Sequence, residues 1–313
     1  MTPKPLPLDE AHLRIEDGDT RIDRTILSCG ARVLSQVIPA TKSAGVSLWV
    51  PVGSRDEDEK TAGSTHFLEH LLFKGTRARS SLDIAIAFDS VGGESNAETA
   101  REHTAYWARV RDADLDMAIE TLADMVSDSR LDEADFATER CVILDELAMG
   151  EDSPTETVHD AFQLAVHGDR PIGRPVGGTA RAISAVTRDD VWDHYQAHYG
   201  PASLIVAAAG NVDHDHVCER VQAALDASPW DERAVASPRP RRSTQRSAPA
   251  EHDRDITRRR DVTQAHVIIG CEGLPATDPQ GPTMSVLLSI LGGSMSSRLF
   301  QEVREKRGLA YTT

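Results

Sequence analysis

The chain has no apolar run near the roughly 20 residues needed to cross a bilayer, so no membrane span is expected. From Met1 to Asp23 it mixes acids with prolines and lacks a basic region followed by an apolar one, so neither a secretory signal nor an arginine-rich transit peptide is expected. Positive charge is scarce. Thirty-four Lys and Arg stand against 50 Asp and Glu, a net charge of −16, which argues against a nucleic-acid partner and leaves basic or neutral substrates open. Cysteine is sparse too: Cys29, Cys141, Cys218 and Cys271 are widely separated and form no C-x-x-C pair. Buried free thiols in a reducing, cytoplasmic setting are the simplest expectation. Nothing resembles a phosphate-binding glycine loop or a serine nucleophile elbow, which leaves little room for nucleotide or serine-hydrolase chemistry.

What is present suffices for about two domains in 313 residues. Residues up to Arg24 are polar and read as a mobile lead-in, followed by a strand over Arg32 to Val37 and another over Val46 to Gly53. A helix follows from Ser64 or Thr65, closed by Lys74-Gly75-Thr76, and a second covers Ser81 to Val91 with Leu82, Ile84, Ala85, Ala87 and Phe88 inward. Strands return between Glu94 and Val110. Helices are expected at Asp114–Ser127, Asp132–Met149, about Glu156–Val166, Arg188–Tyr199 and Asp215–Ala227, with a strand at Leu204–Ala209. The long helix from Asp132 presents Phe136, Val142, Ile143 and Leu147 as its apolar side. This mixture lacks regular β-α alternation, so the fold class is α+β, helices against a mainly antiparallel sheet.

The first of these helices carries chemistry. In His66-Phe67-Leu68-Glu69-His70 the histidines stand at i and i+4 and Glu69 falls on the same side, so two imidazoles and a carboxylate converge. Neutral imidazoles ligate zinc, and H-x-x-E-H is the inverted zincin order, with the glutamate beside a metal-bound water. Phe67, Leu68, Leu71, Leu72 and Phe73 make the flanks apolar, so these polar groups need partners, and a metal supplies one. A third ligand is sought on the acid-rich run Glu139 to Leu147. There Glu139 and Glu146 lie two turns apart on one face, and the spacing does not choose between them.

Composition changes at about Asp231 to Pro, Ser and Arg, giving an expected division into a zinc-binding domain over 1–230, a linker over 231–260 and a second domain over 261–313. The strand Gln264 to Gly270 and the helix about Pro282 to Leu291 repeat the order of the first domain without its H-x-x-E-H. That second domain, ending at Thr313, is expected to be incomplete.

From Val33 onward the chain resembles the pitrilysin, or insulinase-like, metallopeptidases, most closely the compact branch of bacterial processing-peptidase-like enzymes and the mitochondrial processing peptidase β-subunit. The resemblance rests on Gly63 to Thr76, on Gly92-Gly93 with Asn96-Ala97, on Glu139-Arg140 leading into Val142 to Glu146, and on Ser297 to Arg304. It implies tandem related α+β domains forming a chamber, one Zn2+ per chain held by His66, His70 and Glu146, Glu69 as the catalytic base and Glu139 as a supporting acid. It further implies that Asn96 and Ala97 begin an edge strand that receives extended peptide, and that Arg304 and Tyr311 bind substrate from the second domain. The expected activity is zinc-dependent endopeptidase action on peptides, the expected partner a second copy or a related subunit. The rival expectation is a non-catalytic or self-insufficient subunit of a processing assembly. Glu98 departs from the aromatic or small residue common in relatives.

Overall fold

The computed structural model describes residues 7, 10–18, 20–230, 239, 255–271, 273–275 and 278–313, so most of the expected linker lies outside the described residues. The chain divides into a larger compact unit, Leu8–Ile268, and a smaller one containing Ile269–Thr313.

The larger unit is built on β1 (His12–Asp17), β2 (Thr20–Ile26), β3 (Arg32–Val37), β4 (Ser43–Val50), β5 (Glu94–Thr99), β6 (Thr104–Arg111) and β7 (Ile205–Gly210). They form one sheet in the order β1-β2-β3-β7-β4-β6-β5, every pair antiparallel except β3 with β7. Register aligns Val46 with Ala208 and Ala108, and Leu48 with Val206 and Tyr106, so one face is a continuous buried layer. The helices α1 (Ser64–Leu72), α2 (Ser81–Asp89), α3 (Leu115–Asp128), α4 (Glu133–Asp152), α5 (Pro154–His167), α6 (Ala180–Ala185), α7 (Arg188–His198) and α8 (His214–Asp226) complete the unit. Several pack on that layer, through residues such as Phe67, Leu122, Val126, Ile143, Tyr195 and Val217. The opposite face carries Gly45, Ser47, Trp107, Ala207 and Ala209 around a trough of about 510 Å3.

Several expectations are corrected. The polar lead-in is strand, because register sets Arg14 opposite Asp23 and buries that carboxylate between Arg14 and Arg21, at 2.7 and 2.6 Å. On α2 only Ile84 and Phe88 are buried, while Leu82 is 66% exposed, and on α4 Val142 is exposed where Glu139 is buried. The helix at Ala180–Ala185 was not expected. Gln264 to Gly270 is not a strand: Val267 and Ile269 are exposed, and among the described residues no strand pairs with it. The smaller unit holds α9 (Gly281–Gly292) and a π-helical segment at Phe300–Glu305. Among the described residues no helix is long and apolar enough to cross a membrane.

Candidate metal centre

Helix α1 divides cleanly by side. Phe67, Leu68, Leu71 and Leu72 are buried, each worth about 1.5–3 kcal/mol by transfer from water, and Phe67 stacks on Phe136 of α4 at 4.3 Å. Their burial fixes the rotation of the helix and leaves His66, Glu69 and His70 on the remaining side. The start of α1 is clamped. Its N-cap is Gly63 at φ 95°, not Ser64 or Thr65, and a Cβ there would come within 2.5 Å of Ile183 Cδ1 and 2.8 Å of the Gly177 carbonyl. Glu57, buried, accepts the Gly63 and Thr65 amides at 2.7 Å each, and the Thr65 hydroxyl bonds His194 Nε2 at 3.0 Å.

On the open side the His66 and His70 rings stand edge to face at 4.8 Å. Glu146 Oε2 lies 3.9 Å from His66 Nε2 and 3.5 Å from His70 Nε2, and one ligand atom from each residue lies within 4.8 Å of the others. Such separations suit donors sharing one ion at bond lengths of about 2.0–2.2 Å. Burial, with His70 alongside, lowers the His66 pKa and keeps its ring neutral, the form that ligates. Behind the site, Glu139 Oε2 lies 3.0 Å from His70 Nδ1 while its other oxygen pairs with Lys74 Nζ at 2.7 Å. With Nδ1–H donated to Glu139, His70 turns the Nε2 lone pair toward Glu146 and His66. The donor set and its tautomer therefore fit a metal ion.

The pair that spacing leaves equal differs in placement: Glu146 faces the imidazoles and Glu139 backs one of them. Glu139→Gln is expected to weaken metal binding about 10–100-fold with His66 and Glu146 intact, read by chelator competition.

Glu69 Oε2 accepts the Thr99 hydroxyl from β5. Asn96 and Ala97 lie on the same strand, at the sheet's edge, with Asn96 Oδ1 accepting the Ala97 amide at 2.9 Å. Arg304 and Tyr311 belong to the smaller unit, where Arg304 lies over the Phe300 ring at 4.6 Å and Tyr311 is exposed. The sequence reading missed Thr99, Lys74 and Glu57. Lys74 was visible as the residue four beyond His70, and Thr99 as the residue two beyond Ala97 on a strand.

The sequence pattern of insulinase (peptidase family M16) matches residues 32–180, and that of the peptidase M16 inactive domain matches residues 185–313. An uncharacterized zinc protease of Streptomyces coelicolor is 48% identical over 95% of the chain, which spans 64% of that relative's length. An uncharacterized zinc protease of Bacillus subtilis is 35% identical over 93% of the chain and 69% of its own length. A crystal structure of a peptidase M16 inactive domain from Pseudomonas fluorescens superposes with a TM-score of 0.76 at 19% identity, covering 93% of this chain and 69% of that one, a likeness of fold. The α+β architecture and these two sequence matches, side by side over most of the chain, place it in the insulinase family, peptidase family M16.

Proposed function

We propose that the chain is a zinc-dependent endopeptidase acting on extended peptides. The observation that carries this reading is the convergence of His66, His70 and Glu146 on one point beside Glu69, at the end of a sheet edge with which no strand pairs among the described residues. His66, His70 and Glu146 would hold the zinc, which would supply Lewis acidity toward a carbonyl oxygen and lower the pKa of a bound water toward about 7. Glu69 takes the proton of the attacking water and returns it to the departing amine nitrogen, while Thr99 fixes which carboxylate oxygen is turned away.

Strand β5 holds the substrate. The Ala100 amide donates to the His103 carbonyl, so by antiparallel alternation Glu98 and Asn96 bond β6, and Ala97 and Thr99 turn their amide and carbonyl groups to the free edge. An extended peptide bonds there as an added strand, replacing the Asn96 side chain on the Ala97 amide. Arg304 and Tyr311 bind substrate from a second, related domain beginning near residue 261, and a second copy or a related subunit is the partner; these parts rest on the family resemblance. A reducing, cytoplasmic setting is inferred from the four scattered cysteines, of which Cys29 is buried as expected whereas Cys141 and Cys271 are exposed.

The test is hydrolysis of a quenched peptide library by the purified chain with metal analysis. Activity is expected to vanish on chelation and to return with zinc. A chain that binds zinc stoichiometrically and cleaves nothing is the non-catalytic subunit instead.

A further inference from the structure

The two faces of β5 differ in chemistry. Ser95, Ala97 and Thr99 are half-buried on the side of α1, and Thr99 holds Glu69. Glu94, Asn96 and Glu98 point to the exposed face. There each is answered differently by β6. Glu94 lies opposite Arg109 and pairs with it at 2.9 Å, and Asn96 lies opposite Trp107 with its amide oxygen engaged by Ala97. Glu98 lies opposite Ala105, a methyl group. Its ion-pair neighbour among the described residues is His103 at 3.6 Å, whose ring packs beside Trp49 at 5.0 Å, and the Glu98 side chain is 59% exposed.

A peptide strand added along the free edge takes its register from β5, and directly opposed residues share a face, with Cβ atoms about 4.5–5.5 Å apart. The substrate residue opposite Glu98 therefore projects onto the exposed face beside a carboxylate that has no Lys or Arg partner among the described residues. Its neighbours in the peptide project toward the metal side. Trp107 stands diagonally from Glu98 on that face, about 7–8 Å from it along the ladder and two strands from an added peptide, so Glu98 is the nearer of the two. A lysine or arginine there satisfies the carboxylate, and an acid meets repulsion from Glu98.

We infer that Glu98 selects a lysine or arginine at the single position of an extended substrate that lies opposite it on β5, an inference that rests on the peptidase reading above. The full chain is tested with short quenched peptides identical but for Arg, Gln or Glu stepped along one position at a time. At one position Arg is expected to exceed Gln in kcat/KM by about 1.5- to fivefold, the size of an exposed cross-strand charge pair. Glu98→Gln removes that preference, and Glu98→Arg reverses it in favour of Glu at the same position. A preference unchanged in Glu98→Gln, or none at any position in the unmodified chain, overturns the inference.

Binding of the same peptides to the Glu69→Gln chain separates the two readings. Binding in the charge order with no cleavage by the unmodified chain ends the peptidase reading and leaves the Glu98 subsite standing. Cleavage without charge order ends the subsite and leaves the peptidase. Neither binding nor cleavage overturns both.

Discussion

Glu69→Gln lowers kcat for peptide hydrolysis about 10²–10⁴-fold, a loss of about 3–5 kcal/mol in transition-state stabilisation, and leaves metal content unchanged. The asymmetry follows from position. His66, His70 and Glu146 offer ligand atoms to one point, whereas Glu69 is turned to the Thr99 hydroxyl and is outside that donor group. Glutamine keeps the size of the side chain and accepts the Thr99 hydroxyl through its carbonyl oxygen, but it cannot carry a proton from water to amine. KM is expected to stay within about twofold, because on the proposed reading main-chain bonds to β5, and not Glu69, hold the substrate. Stopped assays with metal analysis on the same samples check both halves. Hydrolysis at the unmodified rate would remove Glu69 from the mechanism, and loss of metal would make it a ligand.

The legibility of this protein in its sequence tracks where local chemistry is sufficient. Helix α1 was readable because its apolar residues and its three polar ones fall on opposite sides of a 3.6-residue period, a pattern no packing partner needs to complete. β4 was readable by alternation, since one of its faces is buried throughout. β1 and β2 were not, because their charged residues look solvated until register brings Arg14 to Asp23. The run at Gln264 to Gly270 failed in the opposite way: it alternates as a strand does, but a strand exists only with a ladder partner.

The site divided along the same line. His66, Glu69 and His70 share one helix and are singled out by spacing, whereas Glu139 and Glu146 are equivalent by spacing and differ by environment. Glu139 is 3% exposed and neutralised by Lys74, while the Glu146 side chain is 54% exposed and faces both imidazoles. That difference belongs to the crossing of α1 and α4, which the Phe67–Phe136 stack sets and no window of sequence contains. Glu57 and His194 were missed because their partner, Thr65, lies eight residues from one and 129 from the other.

Those two groups predict an opposed pH response at the start of α1. Burial pushes the Glu57 carboxyl up from 4.5 to about 7, against the hydrogen bonds from Gly63 and Thr65 that favour its anion. Folding then binds its proton more tightly than the unfolded chain does. Its contribution is fully present below about 4.5 and is lost as pH rises through about 7, about 3 kcal/mol in all. Burial, with His198 alongside, pushes the His194 imidazole down from 6.5 to about 4, so its contribution has the other sign. It is present above 6.5 and is lost as pH falls through about 4, again about 3 kcal/mol. Between about pH 4.5 and 6.5 the slopes oppose one another, and the unmodified chain hides both. Each is exposed by removing the other. Glu57→Gln retains an acceptor for one amide and abolishes the alkaline loss, so relative to the unmodified chain it gains stability from about pH 5 to 8. His194→Gln retains a partner for the Thr65 hydroxyl and loses the acid sensitivity, gaining relative stability as pH falls from about 6.5 to 4.5. Urea unfolding of the three proteins across this range, in excess chelator so that metal binding adds no slope of its own, reads the differences directly. Parallel curves for Glu57→Gln and the unmodified chain would show that Glu57 ionises in the fold as it does in water, held as an anion by the two amides at the start of α1.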